Sequence, residues 1–183
     1  LYHKYLHIVI SETERLNKLT QGMLTLNSLD SKGYLTRTNF DINRTIKDTA
    51  ATFEGTCSAK GITFDLTFAD NIQMVYADLG KIQQVLYNLI DNAVKYCDPD
   101  GKITVSLSGK RHPVLSVENT YREVGSLELD RLFDRFYRAD KARTGGDGFG
   151  IGLSIAKGIT EKHHGTLTAQ NVEGHSIRFV VRL

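Results

Sequence analysis

The sequence predicts an α+β fold, with helices packed on one face of a mixed, largely antiparallel sheet and a long helix in front of it. Three observations lead to this prediction. Residues 1–30 contain no proline and one glycine, and their apolar residues recur three and four positions apart. Residues 79–96 carry a second apolar stripe at helical spacing. Several other segments alternate apolar and polar residues, as ITFDLTF does at 62–68.

Composition excludes several classes of protein. The 183 residues are 40% hydrophobic, which is enough for a core and argues against disorder. A formal net charge of +2 gives no electrostatic reason to expect nucleic acid as a partner. Two cysteines cannot build a disulfide scaffold or a four-ligand zinc site, so a reducing compartment is expected. There is no run of 18 apolar residues and no signal peptide. The chain has sixteen glycines and two prolines, which predicts specialised loops.

The first helix has a heptad-like apolar seam with polar interruptions. The seam consists of Leu6, Val9, Thr13, Leu16, Thr20, Met23 and Asn27. Thirty helical residues extend about 45 Å, which is longer than a small domain can cover. The length favours a helical hairpin or bundle partner, while packing of the seam on the chain's own body is the alternative.

Caps and turn signals place the next elements. Gly33 suits a left-handed helix end, and residues 40–42 form a short strand. Asn43 is expected to cap a second helix that runs to about Ala59, with Gly61 as its stop. Strands follow at 62–68 and 72–76.

Asp78 is expected to cap the helix that ends near Tyr96, before a turn at 98–101. The remaining elements are strands at 102–108 and 114–117, a short helix at 127–133, a helix at 153–163, and strands at 165–170 and 176–183.

The helix after Asp78 carries a second, polar stripe, which comprises Lys81, Gln84, Asn88, Asn92 and Lys95. Asparagine is a poor helix former, so two of them four residues apart need a reason. One interpretation is a solvated face. The other is a row of amide oxygens that can ligate Mg²⁺, with a lysine to meet phosphate.

Glycines cluster just before the helix at 153–163, at positions 145, 146, 148, 150 and 152. Glycine lets backbone N–H groups approach a phosphate, and a helix N-terminus adds its dipole. A flexible linker is the alternative interpretation. A Rossmann loop lacks its preceding strand here, and a P-loop lacks its Gly-Lys-Ser/Thr.

Three motifs in order resemble those of sensor histidine kinases. Asn88-Leu89-Ile90-Asp91-Asn92-Ala93-Val94-Lys95-Tyr96 resembles their N box, Phe133-Asp134-Arg135-Phe136-Tyr137-Arg138 their F box, and Gly148-Phe149-Gly150-Ile151-Gly152-Leu153 their G2 box. The resemblance implies an ATP-binding catalytic domain of the Bergerat class, an α/β sandwich, at residues 37–183. Residues 1–36 are similar to the second helix of the dimerisation domain and its linker.

The resemblance also implies the cofactors ATP and Mg²⁺ and a set of site residues. Asn92 is the expected main Mg²⁺ ligand with Asn88 beside it, and Tyr96 is expected at the edge of the nucleotide. Lys95 and Arg138 are expected to act on the phosphates together with Asn88. A lid at about 137–149 would add Lys141 and Arg143, and a phosphate cradle would include Gly148, Gly150, Gly152 and Leu153. Related hydrolytic ATPases have a Glu where Asn88 stands; Asn cannot activate water, which favours transfer to a protein histidine.

The sequence departs from the family pattern in the nucleobase region. Asn119 falls where the family has an Asp that binds the adenine amino group, and Tyr121 and Glu123 replace two glycines. Ile177 replaces a threonine of the last strand. Losing the charged hydrogen bond is expected to weaken ATP binding roughly tenfold. The alternative is that Asn119 is merely a turn residue after the strand at 114–117.

The histidines do not match the family's phosphoacceptor motif. His3 and His7 lack its acidic residue and Pro, His163 and His164 lie at a helix end before Gly165, and His112 and His175 lie near turns. The chain is therefore expected to be part of a longer kinase and not to autophosphorylate alone. The resemblance implies a homodimer through the first helix, a response regulator as partner, and a cytoplasmic location in a bacterial inner-membrane sensor whose membrane segments lie outside this chain.

Two other functions remain open at this point. A degenerate nucleobase region is compatible with a nucleotide-sensing or dimerisation module without turnover. A Bergerat-class kinase that phosphorylates serine, such as an anti-sigma factor, is the other, although such compact proteins need no long helix in front.

Overall fold

The computed structural model describes residues 2–31, 33–139 and 149–183, with the side chains of the first helix from Lys4 onward. In these ranges the helices are α1 (Tyr2–Asp30), α2 (Ile42–Ala51), α3 (Glu54–Ala59), α4 (Leu79–Tyr96) and α5 (Gly152–Lys162). The strands are β1 (Thr38–Asp41), β2 (Thr63–Phe68), β3 (Met74–Ala77), β4 (Lys102–Ser108), β5 (Val114–Thr120), β6 (Thr166–Val172) and β7 (Ser176–Arg182). A 3-10 segment, Leu129–Phe133, stands where a short helix was predicted at 127–133, and a second 3-10 segment, Val124–Ser126, precedes it.

The main sheet has five strands in the order β2-β4-β5-β7-β6. All its pairs are antiparallel except β2 with β4, which run parallel. The separate pair of β1 and β3 is antiparallel. Helices α4 and α5 pack on each other and on the sheet, so the predicted α+β class is confirmed.

The core lies between the main sheet and the helices. Leu86, Leu89 and Ile90 of α4 are fully buried, and so is Val117 of β5. The three buried residues of α4 belong to its apolar stripe, so the polar stripe of this helix must face away from the sheet. That orientation turns the asparagines of α4 towards the N-terminal end of α5.

Two predictions about the second helix were wrong. Asp41, not Asn43, caps α2: its carboxylate accepts from the N–H of Asn43 at 3.1 Å. Asn43 is buried inside the first turn, and its Nδ2 donates to the carbonyl of Asp70 at 2.7 Å. The predicted single helix to Ala59 is divided into α2 and α3. The side chain of Asn43, which local rules assign to the helix cap, is thus used in a long-range hydrogen bond to Asp70.

The glycine caps were also only partly predicted. Gly61 follows α3 with φ +67°, as expected for a left-handed stop. Gly33 does not have a positive φ, and after α5 the left-handed residue is His164, with φ +64°, and not Gly165. The carbonyls at the end of α1 are instead bound by Lys162, whose ammonium donates to Ser28 O and Ser31 O at 3.0 Å each.

Helix α1 packs on α5 through its C-terminal third. A Cβ at Gly22 would collide with the side chain of Ile151, and one at Gly158 would lie 3.1 Å from Leu29, so the two helices meet at small residues. Leu26 is buried in this contact, and Asp30 accepts from Arg135 at 2.8 Å. The N-terminal two thirds of α1 expose large apolar side chains, including Leu6, Val9 and Leu16. Helix α1 therefore packs on the body through its C-terminal third and leaves the N-terminal part of its seam exposed.

Within the described ranges, no helix is both long enough and apolar enough to pass through a bilayer.

Candidate functional site

A cavity of about 920 Å³ opens between α4, the segment that leads into α5, and the middle of α1. Its polar side is formed by α4 and the N-terminus of α5. Its other end is lined by the apolar side chains Leu127, Leu132, Ile177 and Phe179, with Tyr121. A cavity with one polar and one apolar end suits a ligand with a flat base and a charged tail.

The polar stripe of α4 faces this cavity. Asp78 caps the helix as predicted, since its Oδ1 accepts from the N–H of Lys81 at 3.1 Å. Asn88, Asn92, Lys95 and Tyr96 all line the cavity. The structure thus brings these four predicted residues together on one wall, and a fully solvated stripe is not what is observed.

The two asparagines have different surroundings. Asn88 Nδ2 donates to the carbonyl of Gly152 at 3.1 Å, which ties α4 to the first residue of α5. The Oδ1 of Asn88 remains an acceptor. Asn92 is half-buried and makes no hydrogen bond with any residue that the structure describes. Both amide oxygens are therefore available at the cavity wall, one of them on a side chain fixed by the glycine segment.

Lys95 is paired within α4. Its ammonium lies 2.6 Å from Asp91 Oδ2, with both side chains about one third exposed. Asp and Lys four residues apart in this order stabilise a helix. The pair holds the ammonium of Lys95 at the cavity wall. Rotation of the lysine side chain would take the ammonium from Asp91 to a phosphate in the cavity.

The N-terminus of α5 is open towards the cavity. Its N-cap, Ile151, makes no side-chain hydrogen bond, so the first N–H groups of the helix have no side-chain cap there. Gly150 and Gly152 line the cavity beside it. Gly150 has φ +70°, and a Cβ there would lie 2.5 Å from the carbonyl oxygen of Tyr137. The backbone at this position therefore requires glycine, and it presents a helix N-terminus suited to an anion.

Asn119 lies in a strand and not in a turn, because β5 continues to Thr120. The turn interpretation is therefore wrong. The side chain is completely buried, and its Oδ1 has no hydrogen-bond partner within the described ranges. Across the sheet it pairs with Ile177, so the two departures from the family pattern are direct neighbours.

Tyr121 lines the apolar end of the cavity and is buried, whereas Glu123 is exposed just before the first 3-10 segment. A side chain thus occupies part of the space that a glycine would leave open at 121. Arg138 and Leu153, which are expected to contact phosphates, also line the cavity. The predicted lid and cradle residues Lys141, Arg143, Gly145, Gly146 and Gly148 lie outside the described residues.

Sequence reasoning did not anticipate the contribution of α1. Asn17, Lys18, Gln21 and Thr25 line the cavity opposite α4. One signal was available: Gly22 is the single glycine in α1, and an isolated glycine in a helix often marks a close approach. The seam alone could not indicate which side of α1 meets the body.

His163 is engaged by the fold at both ring nitrogens. Nε2 accepts from the N–H of Asp78 at 3.1 Å, and Nδ1 lies 2.8 Å from the carbonyl of Ile159, to which it donates. This ring joins the end of α5 to the start of α4. It is therefore a structural link, in agreement with its exclusion as a phosphoacceptor.

Comparison with known proteins follows the same lines. Residues 77–183 match the family described as histidine kinase-, DNA gyrase B-, and HSP90-like ATPase. The sensor protein SrrB of Staphylococcus aureus (strain NCTC 8325) is 31% identical over 186 residues, which cover 97% of this chain. The chain spans 31% of the length of that relative.

Solved structures give the same result. The catalytic domain of histidine kinase ThkA superposes with a TM-score of 0.72 at 26% identity, covering 81% of this chain and 95% of that domain. Histidine kinase ThkA in complex with the response regulator protein TrrA gives a TM-score of 0.75 at 26% identity, covering 98% of this chain and 50% of that one.

The family match covers more than half of the chain and contains the polar stripe of α4, Asn119 and the glycine segment. The sequence-based identification of a sensor histidine kinase ATP-binding domain is therefore confirmed, and the chain belongs to the histidine kinase-, DNA gyrase B-, and HSP90-like ATPase family.

Proposed function

We propose that this chain binds Mg²⁺-ATP and transfers the γ-phosphoryl group to a histidine on a separate helix, as the catalytic part of a two-component sensor kinase. One observation carries the proposal. The amide stripe of α4 faces the uncapped N-terminus of α5 across a single cavity, in a chain of this ATPase family.

The two ends of the cavity suit the two ends of a nucleotide. The phosphates belong at the polar side, where Lys95, Arg138 and the first N–H groups of α5 supply positive charge and donors. The base belongs among Leu127, Ile177 and Phe179 at the apolar end.

The donor set of α4 fits Mg²⁺. Asn88 and Asn92 offer neutral amide oxygens one helical turn apart, and Mg²⁺ takes oxygen ligands together with substrate phosphates. When bound, the ion neutralises charge on the phosphate oxygens. The hydrogen bond from Asn88 to Gly152 would hold its Oδ1 towards the ion and connect the metal site to the phosphate cradle.

Phosphoryl transfer to a protein is favoured over hydrolysis by the side chain at position 88. An amide cannot accept the proton of an attacking water, so no strong base is present at this position. What the residues of the site supply is positioning and charge neutralisation, which is what a loose phosphoryl-transfer transition state requires.

The partners and domain limits are proposed on the same basis. The structure of ThkA with TrrA supports a response regulator as partner. The exposed seam of α1 supports a homodimer through residues 1–36, with residues 37–183 as the catalytic domain. We place the domain on the cytoplasmic side of a bacterial inner-membrane sensor, as the relation to sensor proteins suggests.

Nucleotide binding is tested by thermal unfolding. At 100 times Kd, Mg²⁺-ATP is expected to stabilise the fold by about 2.7 kcal/mol, which raises the Tm by roughly 5–10 °C. Asn92→Ala should remove most of this shift, because it deletes the expected main Mg²⁺ ligand. Asn39→Ala, the same change on exposed β1, is the matched control and should keep the shift. No shift at millimolar Mg²⁺-ATP would refute the proposal.

Transfer is tested with an acceptor supplied separately. The chain is incubated with labelled ATP and a histidine-containing dimerisation helix from a sensor kinase, and label on the helix is measured. Label that disappears with Asn92→Ala is the expected result. Binding without transfer would favour the second candidate, a nucleotide-sensing module. The specific observation behind that candidate is the side chain of Tyr121 in the nucleobase end of the cavity.

A further inference from the structure

We infer that the nucleobase end of the cavity accepts 6-oxo purines as well as adenine, and that Asn119 is the residue that sets this specificity. The inference rests on the proposed function, since it requires that a purine nucleoside triphosphate occupies the cavity. It names a broader substrate class than ATP: inosine and guanosine triphosphates.

The position of Asn119 relative to the cavity follows from strand register. Asn119 of β5 is paired with Ile177 of β7, and directly paired residues place their side chains on the same face of a sheet. Tyr121, two residues further along, lies on that face as well. Ile177 and Tyr121 both line the apolar end. Asn119 is completely buried and is not itself among the residues that line the cavity, but it is the neighbour of Ile177 and Tyr121 on the face of the sheet where a base would rest.

The hydrogen bonding of Asn119 is incomplete. Its Nδ2 donates to the neighbouring carbonyl of Thr120 at 3.2 Å, and its buried Oδ1 has no partner within the described ranges. The paired strand residues Ile103 and Ile177 carry no polar side-chain group. A ligand that reaches this amide therefore meets one donor and one acceptor on Asn119. The residues paired with Asn119 on the two neighbouring strands add no other polar side-chain group.

An amide at this place is complementary to both kinds of purine. Adenine presents an amino donor at position 6 and an acceptor at N1. Hypoxanthine and guanine present the reverse, an acceptor at O6 and a donor at N1. The carboxamide offers Oδ1 as acceptor beside Nδ2 as donor, and rotation by 180° about the Cβ–Cγ bond exchanges them, with loss of the hydrogen bond from Nδ2 to Thr120 O. One side chain can thus pair with either base.

A carboxylate would discriminate where the amide does not. It accepts hydrogen bonds at both oxygens, so it binds the 6-amino group of adenine but repels a 6-oxo group. A site that places an acceptor of the ligand against an acceptor of the protein rejects that ligand strongly. The exchange of a carboxylate for Asn119 should therefore act on the ratio of affinities more than on either affinity alone.

The test compares ATP and ITP, which differ at position 6 and N1 of the base, by calorimetric titration in Mg²⁺. The wild-type protein should bind both with Kd values within about tenfold. Asn119→Asp should raise the ratio of Kd(ITP) to Kd(ATP) at least tenfold, the size of one charge-assisted hydrogen bond. Asn171→Asp makes the same charge change at an exposed position near the end of β6, where a side-chain oxygen can still accept from the N–H of Gly174, and should leave the ratio unchanged. GTP is the second 6-oxo probe.

Each outcome decides a separate point. If neither nucleotide binds, the proposed function fails together with the inference. If ATP binds more than about tenfold more tightly than both ITP and GTP, the inference fails and the proposed function stands. If wild-type protein binds both but Asn119→Asp leaves the ratio unchanged, the assignment to Asn119 is wrong. The wild-type ratio needs no variant, so it decides the specificity even where Asn119→Asp does not fold.

Discussion

At the scale of single residues, Asn88 and Asn92 occupy equivalent places on α4 but contribute differently to the apoprotein. Asn88 donates to Gly152 O across the cavity, while Asn92 makes no hydrogen bond with a described residue. The proposed site therefore combines one amide that holds the fold with one that is free for a ligand. The difference can be measured without any nucleotide.

The first prediction compares Asn88→Ala with Asn92→Ala. Both replace Asn by the better helix former Ala, so the gain in helix propensity is equal and cancels in the comparison. Asn88→Ala also loses a half-buried hydrogen bond, so it should be less stable than Asn92→Ala by about 1 kcal/mol. Urea unfolding of the two apoproteins measures this difference. Equal stabilities would mean that the bond to Gly152 contributes nothing to the fold.

Cys97, directly after α4, is a single residue that makes the stability of the fold depend on pH. The pKa of its thiol is raised from the ordinary value of 9.0 to about 11, mainly by burial; a hydrogen bond to the Thr120 backbone opposes this rise and the neighbouring Asp98 adds to it. The protein therefore keeps this thiol protonated over a range in which the unfolded chain loses the proton.

The second prediction gives the sign. Below pH 9 the thiol is neutral in both states and has no effect on stability. Between pH 9 and about 11 the unfolded state ionises first, so the free energy of unfolding should fall as the pH rises. Cys97→Ser lacks this titration, and its unfolding free energy should fall less steeply over that window. Parallel curves for the two proteins would show that the Cys97 thiol does not titrate differently on folding.

At the scale of elements, the N-terminus of α5 depends on one backbone conformation. Gly150 has φ +70°, its carbonyl accepts from the N–H of Phe136 at 2.9 Å, and it approaches Tyr137 closely. These contacts direct the chain into α5 beside Asn88. The proposed phosphate cradle therefore depends on the turn as well as on the helix.

The third prediction tests Gly150→Ala. A Cβ here meets both an unfavourable φ and the carbonyl of Tyr137, so a cost of at least about 1–2 kcal/mol is expected, together with weaker nucleotide binding. Gly55→Ala is the matched control. Gly55 lies in α3 with open space around it, so the same change should stabilise the protein by up to about 1 kcal/mol. Opposite signs in urea unfolding are the expected result, and a neutral Gly150→Ala would contradict it.

Elements that depend on local chemistry were predictable from the sequence. Asp78 caps α4 as its position before an amphipathic run indicated, and Gly61 takes the left-handed conformation. Asn43 and Gly33 were assigned wrongly because distant groups decide there: Asp70 O takes the Asn43 amide, and Lys162 caps α1. Among the α4 residues that line the cavity, Asn88, Asn92 and Lys95 were expected because they share one helical stripe, and Tyr96 was expected only from the family resemblance.

At the scale of the whole molecule, the position of α1 was not predictable. The length of α1 favoured a partner helix, but its C-terminal third packs on the chain's own body, with close contacts at Gly22 and Gly158. The same packing brings Asn17 and Lys18 to the cavity. Helix α1 is thus part of the wall of the cavity, and the N-terminal part of its seam is exposed.

The last prediction asks whether α1 and the body unfold as one unit. Leu26 is 4% exposed in the contact with the body, and Leu24, two residues earlier, is 57% exposed. Leu26→Ala should therefore cost about 2–5 kcal/mol, as core truncations do, and Leu24→Ala less than about 0.5 kcal/mol. Urea unfolding is measured at protein concentrations low enough for sedimentation to show monomer, so that loss of a dimer contact does not contribute.

The comparison separates two arrangements of the molecule. If α1 belongs to the cooperative unit, only Leu26→Ala lowers the midpoint, and the m-value, which follows the surface exposed on unfolding, stays constant. If α1 detaches before the body unfolds, the two variants have the same main transition. In that case the side chains of α1 would line the nucleotide cavity only part of the time, and phosphate transfer would not depend on Asn17 or Lys18.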